Sequence, residues 1–504
     1  MVILEQFKSR APLLLAMTGA ILAIFVLAQR YPASDLILLA MGGGLGLAGL
    51  WLAIARQKAV YLLLIGALPF EATLVIEAGF SVTPYYVLFG LLLVSFLFHQ
   101  QKIRFDATPS KLLLAYLAVC AVSLVSGYFV EPPLVHSSVD MEFRSSAARP
   151  FIQFGLIAIH ILFFALILDL VRSRERILES TKIYLWIGFA LAVLGCWQTL
   201  AVALDLPGKD FTQAFGDAAA QGYKYGETRF YSALVSNFAP RATFRESLHF
   251  AHYLVSFLPL AIGLVLYRKQ LPENWRIKAP TLLVVFGLVA LFLTMSRSGW
   301  LAFACSIAFM FCFFPKGRML KIAAVSVAAL LTVGVLLKSL GYFQMDLDLW
   351  QLMQMRMDVA RLESDPRVFY LQILLETFSH YPVLGVGIGN YGLFGAATLG
   401  SDVILSAHSI FLNALVETGL FGFLLLSSVA IHFFYCAIKA IRRSRGQAAF
   451  PILVGVTAGV FGMTVQYCSF GDRPGFHYLF MLAIGYALIR YIRENGVAGR
   501  TVFS

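Results

Sequence analysis

The stretch Thr281–Phe314, TLLVVFGLVALFLTMSRSGWLAFACSIAFMFCFF, decides the fold. It runs for 34 residues with a single charge, Arg297. Two apolar runs flank one polar turn, and a bilayer with a hydrocarbon core of about 30 Å accepts such runs as crossing helices. Outward from this pair, further apolar runs begin near Ala11, Leu36, Val60, Pro84, Lys111, Phe151, Lys182, His249, Lys321, Ser409, Phe450 and Phe476. About fourteen helices are expected, in an all-α polytopic membrane protein. The composition agrees: 60% of the 504 residues are hydrophobic and 13% charged, whereas soluble domains carry roughly a quarter charged residues. The run near Val60 is interrupted by Pro69 and Glu71 and is expected to be short or re-entrant.

A net charge of +12 raises the question of nucleic acid. The placement of the cations answers it. With the amino terminus inside, 25 of the 39 basic residues fall in cytoplasmic segments, including Arg56, Lys102, Arg104, Arg172, Arg268, Lys316, Arg318, Arg445, Arg490 and Arg493. That is the bias of membrane topology, with both termini cytoplasmic, and nucleic acid is set aside. The six cysteines, at 120, 196, 305, 312, 436 and 468, lie in or beside apolar runs with no CxxC spacing. Neither a disulfide framework nor a zinc site is expected. The apolar run after Lys8 and Arg10 reads as an uncleaved first span.

The organisation follows from the runs: an N-terminal bundle over 1–204, an outer loop over 205–247, central helices with the polar turn over 248–338, a large outer loop over 339–407, and C-terminal helices over 408–504. The first loop balances five basic against five acidic residues, and the second sets three against seven. Any anion site there must be built from individually placed arginines. Within the second loop, residues 346–362 read as a Met-rich interfacial helix. A second helix is expected to start at Asp365-Pro366-Arg367, with an N-cap acid and a proline at the first helical position, and to end at His380 to Pro382.

Three blocks carry chemistry. The first is Thr294-Met295-Ser296-Arg297-Ser298-Gly299, an arginine at the membrane edge, where a guanidinium calls for an anionic partner. The second joins Arg367 to Pro382-x2-Gly385-x-Gly387-x-Gly389-Asn390, and the third is His408-Ser409-x9-Gly419-x2-Gly422. In this order and spacing, over about Arg241 to Gly422, they resemble the O-antigen ligase and O-antigen polymerase family. The resemblance implies a glycosyltransferase of the GT-C type in the bacterial inner membrane, acting at its periplasmic face on undecaprenyl-pyrophosphate-linked glycans. It gives His408 the place of the family's essential histidine, Arg297 that of its membrane-edge arginine and Arg367 that of its periplasmic-helix arginine. It makes Arg241-Ala242-Thr243-Phe244 the lead into the next span, although Glu246 and His249 stand where a Pro-Asn pair is the family pattern.

The chemistry asks for the same residue types. A lipid pyrophosphate leaves readily once its charge is neutralised, which two guanidiniums do without a metal. An imidazole suits removal of the acceptor proton near neutral pH. His408, Arg297 and Arg367 are therefore the expected catalytic residues, and Arg297, Arg367, Arg241, Gly387 and Asn390 the expected donor-binding ones. No metal or cofactor is expected; the partners are the lipid-linked donor, a glycan or lipid-linked acceptor and membrane lipids. Polymerase is preferred to ligation onto lipid A core because the second loop, at 69 residues, offers surface for two glycans. The rival class is a transporter or flippase, which would use ionisable groups along a path, with His160, Asp169 and Glu71 as candidates. Other readings are blander. The glycine run lacks the strand-to-helix context of a dinucleotide site. Glu417 reads as a buried structural partner, and His249 and His252 read as helix packing.

Overall fold

The computed structural model describes residues 48–70, 76–77, 81–130, 148–204, 206, 239–244, 246–273, 276, 280–320, 324, 366–392, 394, 407–471 and 473–495. The chain separates into two compact units, one holding residues 1–67 and 84–102 and the other 68–83 and 103–504. The expected spans near Ala11 and Lys321, Glu71, and the expected helix over 346–362 lie outside the described residues.

In the smaller unit, helix Ala48–Ala55 meets α1 (Gln57–Ala67) at an angle of 117°. The break falls at Arg56, and α1 stops at Ala67, just short of Pro69, so this run is short, as its proline foretold. Helix α2 (Pro84–Phe98) completes the described part of that unit. Among the described residues of the larger unit, one departure from helix is a two-residue antiparallel pairing of β1 (Ile76–Glu77) with β2 (Ser81–Val82).

The other helices of the larger unit are α3 (Thr108–Ser126), α4 (Ala148–Leu170), α5 (Arg174–Ala203), α6 (Ser247–Leu266), α7 (Pro280–Leu293), α8 (Arg297–Phe311), α9 (Pro366–His380), α10 (Ile410–Arg443), α11 (Phe450–Gln466) and α12 (Phe476–Asn495). Each expected run from Pro84 to Gly299, and from Ser409 to Phe476, coincides with a helix. Among the described residues five helices are long and apolar enough to cross a membrane, six if the bent pair is one span, and α2, α7, α8 and α11 are shorter apolar helices. Helix starts fall earlier than the apolar pattern where a polar turn is capped. Ser173, for instance, accepts from Arg176 N and begins α5 eight residues before Lys182.

Helix α6 is the axis of the larger unit, buried continuously from Phe250 to Leu264. It lies against α11 because α11 carries Gly455, Gly459 and Gly462 on the facing side. A Cβ at Gly455 would stand 2.5 Å from Leu260 Cα, one at Gly459 would overlap Ser256 O, and one at Gly462 would stand 2.7 Å from Val255 Cγ1. In lipid, where apolar burial gains little, such close backbone approach is what holds helices together.

Helix α10 is broken at Gly419, whose backbone (φ 67°, ψ −168°) is not helical. The segment Pro382–Gly387 fills the break: Val386 N donates to Val416 O (2.9 Å), Gly387 N to Glu417 O (3.1 Å) and Leu420 N to Pro382 O (2.9 Å). Ser123 of α3 donates a further bond to Glu417 O, at 2.6 Å. At the opposite end of the bundle, Arg490 donates to Leu168 O in the last turn of α4 and to Val171 O just beyond it, and Asp169 pairs with Arg172 and accepts from Arg104 N. These are cations that the sequence assigns to the inside.

Gly419→Ala is expected to be strongly destabilising. Its Cβ would overlap Val383 O at a left-handed φ. Gly446 also has a positive φ (86°) but open space around its Cβ position, so Gly446→Ala carries only the backbone strain of about 1–2 kcal/mol. Thermal unfolding of the two purified variants checks the difference.

Candidate functional site

The end of the bundle away from Arg490 gathers the chemistry-bearing blocks. In the first, Met295 takes a left-handed φ of 51° and turns the chain between α7 and α8. Ser296 then caps α8 by accepting from Gly299 N (3.2 Å), and Gly299 lies so close to α6 that a Cβ would be 2.7 Å from Ala251 Cβ. Trp300 locks the turn from behind, donating from Nε1 to Leu291 O (3.1 Å) and stacking on Phe292. Arg297 therefore sits exposed in the first turn of α8, where the helix's own N–H groups also favour an anion.

In the third block His408 has a left-handed φ of 47°, and Ser409 caps α10 by accepting from Leu412 N (3.3 Å). Ile410 N donates to Tyr467 O (3.2 Å) at the end of α11. The preceding residue, Gln466, is buried, and its side chain donates to Ser298 Oγ (3.5 Å) and Leu248 O (3.4 Å). Its Oε1 accepts from His252 Nδ1 at 3.1 Å. Arg297's turn and His408's cap are thus fastened to consecutive residues of one helix end. The His252 ring completes the link, lying 4.3 Å from that of Tyr467 between centroids.

The second block joins through α9. Leu374 of α9 packs in one buried cluster with Val386, Tyr391 and Val416, and Ala407, next to His408, packs against it. Tyr391 donates to Tyr370 O (3.3 Å), and burial pushes the Tyr391 phenol above its ordinary value. The Tyr370 ring stacks beside His408 at 6.4 Å and 23°. Arg367 stands one helical turn before Tyr370. The glycine run serves this architecture: Gly387 N bonds Glu417 O, and the buried Asn390 side chain donates to Val386 O (3.0 Å). Gly387 and Gly127 approach so closely that a Cβ on either would meet the other's Cα below 3 Å. Gly387 and Asn390, expected to bind donor, have these polar groups engaged in building the turn.

Arg241 has a separate support. Gln198, buried near the end of α5, accepts from Arg241 N (3.2 Å) and Ala242 N (2.8 Å) and donates to Ala242 O (3.2 Å). The turn leads into α6 through stacking of Phe244 on Phe250. Arg245 lies outside the described residues.

Sequence reasoning passed over several residues here. Gln198 and Gln466 are amides near the ends of apolar helices, a signal available from the sequence. Arg473 donates to Gln153 Oε1 (2.9 Å), and Gly389 packs against Gln153, Pro150 and the carbonyl of Arg149. These two arginines border the apolar runs of α4 and α12. Of the residues expected of a transport path, His160 donates from Nδ1 to Leu156 O within its own helix, and Asp169 belongs to the opposite end. Glu417 is buried and accepts from Asn413 Nδ2 (3.1 Å). Among the described residues no group of three His, Cys, Asp or Glu side chains is arranged to hold a metal ion.

The fold and site together define a multi-pass helical membrane protein with an arginine turn and a histidine cap fastened at one end. Residues 282–427 match the family model described as O-antigen ligase. The match contains Arg297, Arg367, the 385–390 turn and the His408–Gly422 block, and it supports the family resemblance carried by those blocks. Enzymes of this family are ligases and polymerases of the glycosyltransferase kind, acting on lipid-linked glycans. No curated protein matches the chain.

Gln466→Leu leaves His252 Nδ1 buried without its acceptor and is expected to cost about 1–3 kcal/mol. Adding His252→Phe should recover part of that loss, because removing both partners is cheaper than orphaning one. A double-mutant cycle on thermal unfolding measures the coupling.

Proposed function

We propose that this chain transfers a glycan from an undecaprenyl-pyrophosphate-linked donor to an acceptor sugar hydroxyl at the periplasmic face of the inner membrane, as a polymerase of repeat units. Ligation onto lipid A core is the alternative within the same chemistry. The observation that carries the reading is the attachment of the Ser296-Arg297-Ser298 turn and the His408 cap to the adjacent residues Gln466 and Tyr467. The topology it requires is about fourteen spans with both termini cytoplasmic, which sets this end of the bundle outside.

In the proposed step, the His408 imidazole takes the acceptor's hydroxyl proton as the oxygen attacks the anomeric carbon. The bond from that carbon to the pyrophosphate oxygen breaks, and the electron pair departs with the leaving group. Arg297 and Arg367 neutralise the charge that develops there, a task suited to forked guanidiniums in a site that excludes water. Arg241 binds the donor from its own turn, and Gly387 and Asn390 act by holding the loop beside α10. One displacement inverts the anomeric centre, and no metal takes part.

His408→Ala is expected to lower transfer by at least about a hundredfold, the usual worth of a general base, without loss of expression. Activity near wild type would remove His408 as the base. Arg297→Lys should fail as well, because an ammonium does not reproduce the bidentate fork. The assay is product growth from purified lipid-linked donor and acceptor in detergent, where transport has no second compartment to act on. Mass analysis of lipid-linked glycans in cells lacking the gene separates the two forms of the reading: single repeats mark a missing polymerase, finished chains a missing ligase.

A further inference from the structure

At the end of the bundle opposite His408, a cavity of about 550 Å³ opens among the end of α6, the segment after α8 and the lead into α11. Five rings line it, and three of them, Tyr267, Phe314 and Phe450, pack on one another with centroids 5.1, 5.6 and 5.8 Å apart in the three pairings. Phe314 and Phe450 are buried. Lys316 and Arg445, both exposed, line it from two different connections, and none of its described lining residues is acidic. Arg318 stands over the Tyr267 ring at 5.6 Å and donates to Leu266 O at 3.4 Å, at the end of α6. Burial pushes the Tyr267 phenol above its ordinary value, while the charges of Arg318 and Arg445 pull against that shift.

We propose that this cavity is a binding site for the phosphodiester headgroup of an anionic phospholipid from the adjoining leaflet. Three features converge on that ligand. The cavity lies where α6 and α8 end and α11 begins, the depth at which headgroups sit. No carboxylate stands among the described residues that line it beside its cations, and its wall is aromatic, matching a ligand anionic at one end and apolar at the other. Its volume suits one headgroup with the first carbons of its chains. Basic pockets between helices on the inner side of a membrane have this electrostatic logic. The site is separate from the His408 end, so its test does not depend on the transferase reading.

The test uses the full chain purified in detergent, titrated with phosphatidylglycerol, phosphatidylcholine, glycerol phosphate or inorganic phosphate. Retained lipid is read by native mass spectrometry, and binding by the shift in thermal unfolding. Phosphatidylglycerol is expected to bind and stabilise; the zwitterionic lipid and the two soluble phosphates are not. Each charge removed is worth about fivefold at such a surface, so K316Q/R445Q should weaken phosphatidylglycerol binding about 25-fold. Both positions are exposed, and the variant should unfold normally without lipid. Arg445→Lys keeps the charge and should retain most of the affinity. Wild-type affinity in the double variant, equal binding of phosphatidylcholine, or the full shift from glycerol phosphate or inorganic phosphate would each overturn the proposal.

Discussion

A helix broken inside a membrane protein must have its freed backbone groups satisfied, because the surrounding lipid offers none of water's hydrogen bonds. Helix α10 meets this demand at Gly419 by recruiting a second segment. The carbonyls of Val416 and Glu417 accept from Val386 N and Gly387 N, and Leu420 N donates to Pro382 O. Ser123 supplies one more donor from a third element. The glycine spacing at 385, 387 and 389 follows, since all three have positive φ and the loop must pass against backbone on both sides. A GxGxG run that reads as a phosphate cradle is first of all a strut. It brings α9, and with it Tyr370, alongside His408.

The buried amides extend the same logic. Gln466 and Gln198 each make several bonds at once, and each fastens a turn carrying a candidate arginine, at Ser298 and at Arg241 N. An amide that bridges three partners holds two helices and a loop in one register. In a low dielectric these bonds are stronger, and losing one is costlier, than at a wetted surface. The arginine that must meet a ligand can then remain exposed while its backbone is fixed.

The helices were legible because hydrophobic run length is a property of local sequence. So was the α9 start at Pro366, since a proline at the first helical position is a local signal; the expected cap at Asp365 lies outside the described residues. The turn Thr294–Gly299 and the His408 block declared themselves by being polar where the chain is otherwise apolar. The fasteners did not, because their meaning depends on residues far away in the chain. Ser123 meets Glu417 across 294 positions, and His252 meets Gln466 across 214. The role of Gly419 was likewise hidden: its spacing from His408 was visible, but its positive φ and the Val383 carbonyl lying where a side chain would stand exist only in the folded chain. Arg149 and Arg473 were passed over for another reason: an arginine beside a span reads first as a topology signal, and only tertiary structure brings the two around the Gly389 turn.

Backbone strain marks the same places. Among the described residues four that are not glycine have a left-handed φ, and three stand at or beside a candidate residue: Ala242 next to Arg241, Met295 two before Arg297, and His408 itself. Each costs about 1–2 kcal/mol relative to ordinary backbone, so each needs compensation close by. Gln198 gives it to Ala242 through two bonds, and the Ser296 cap with the Trp300 lock gives it to Met295. The Ser409 cap and the Ile410 bond to Tyr467 give it to His408. Strain so firmly over-determined is a way of fixing side-chain direction before any ligand arrives. In the proposed transfer, where a pyrophosphate is neutralised and a proton removed in one step, most is gained from groups that need not reorganise when the charge appears.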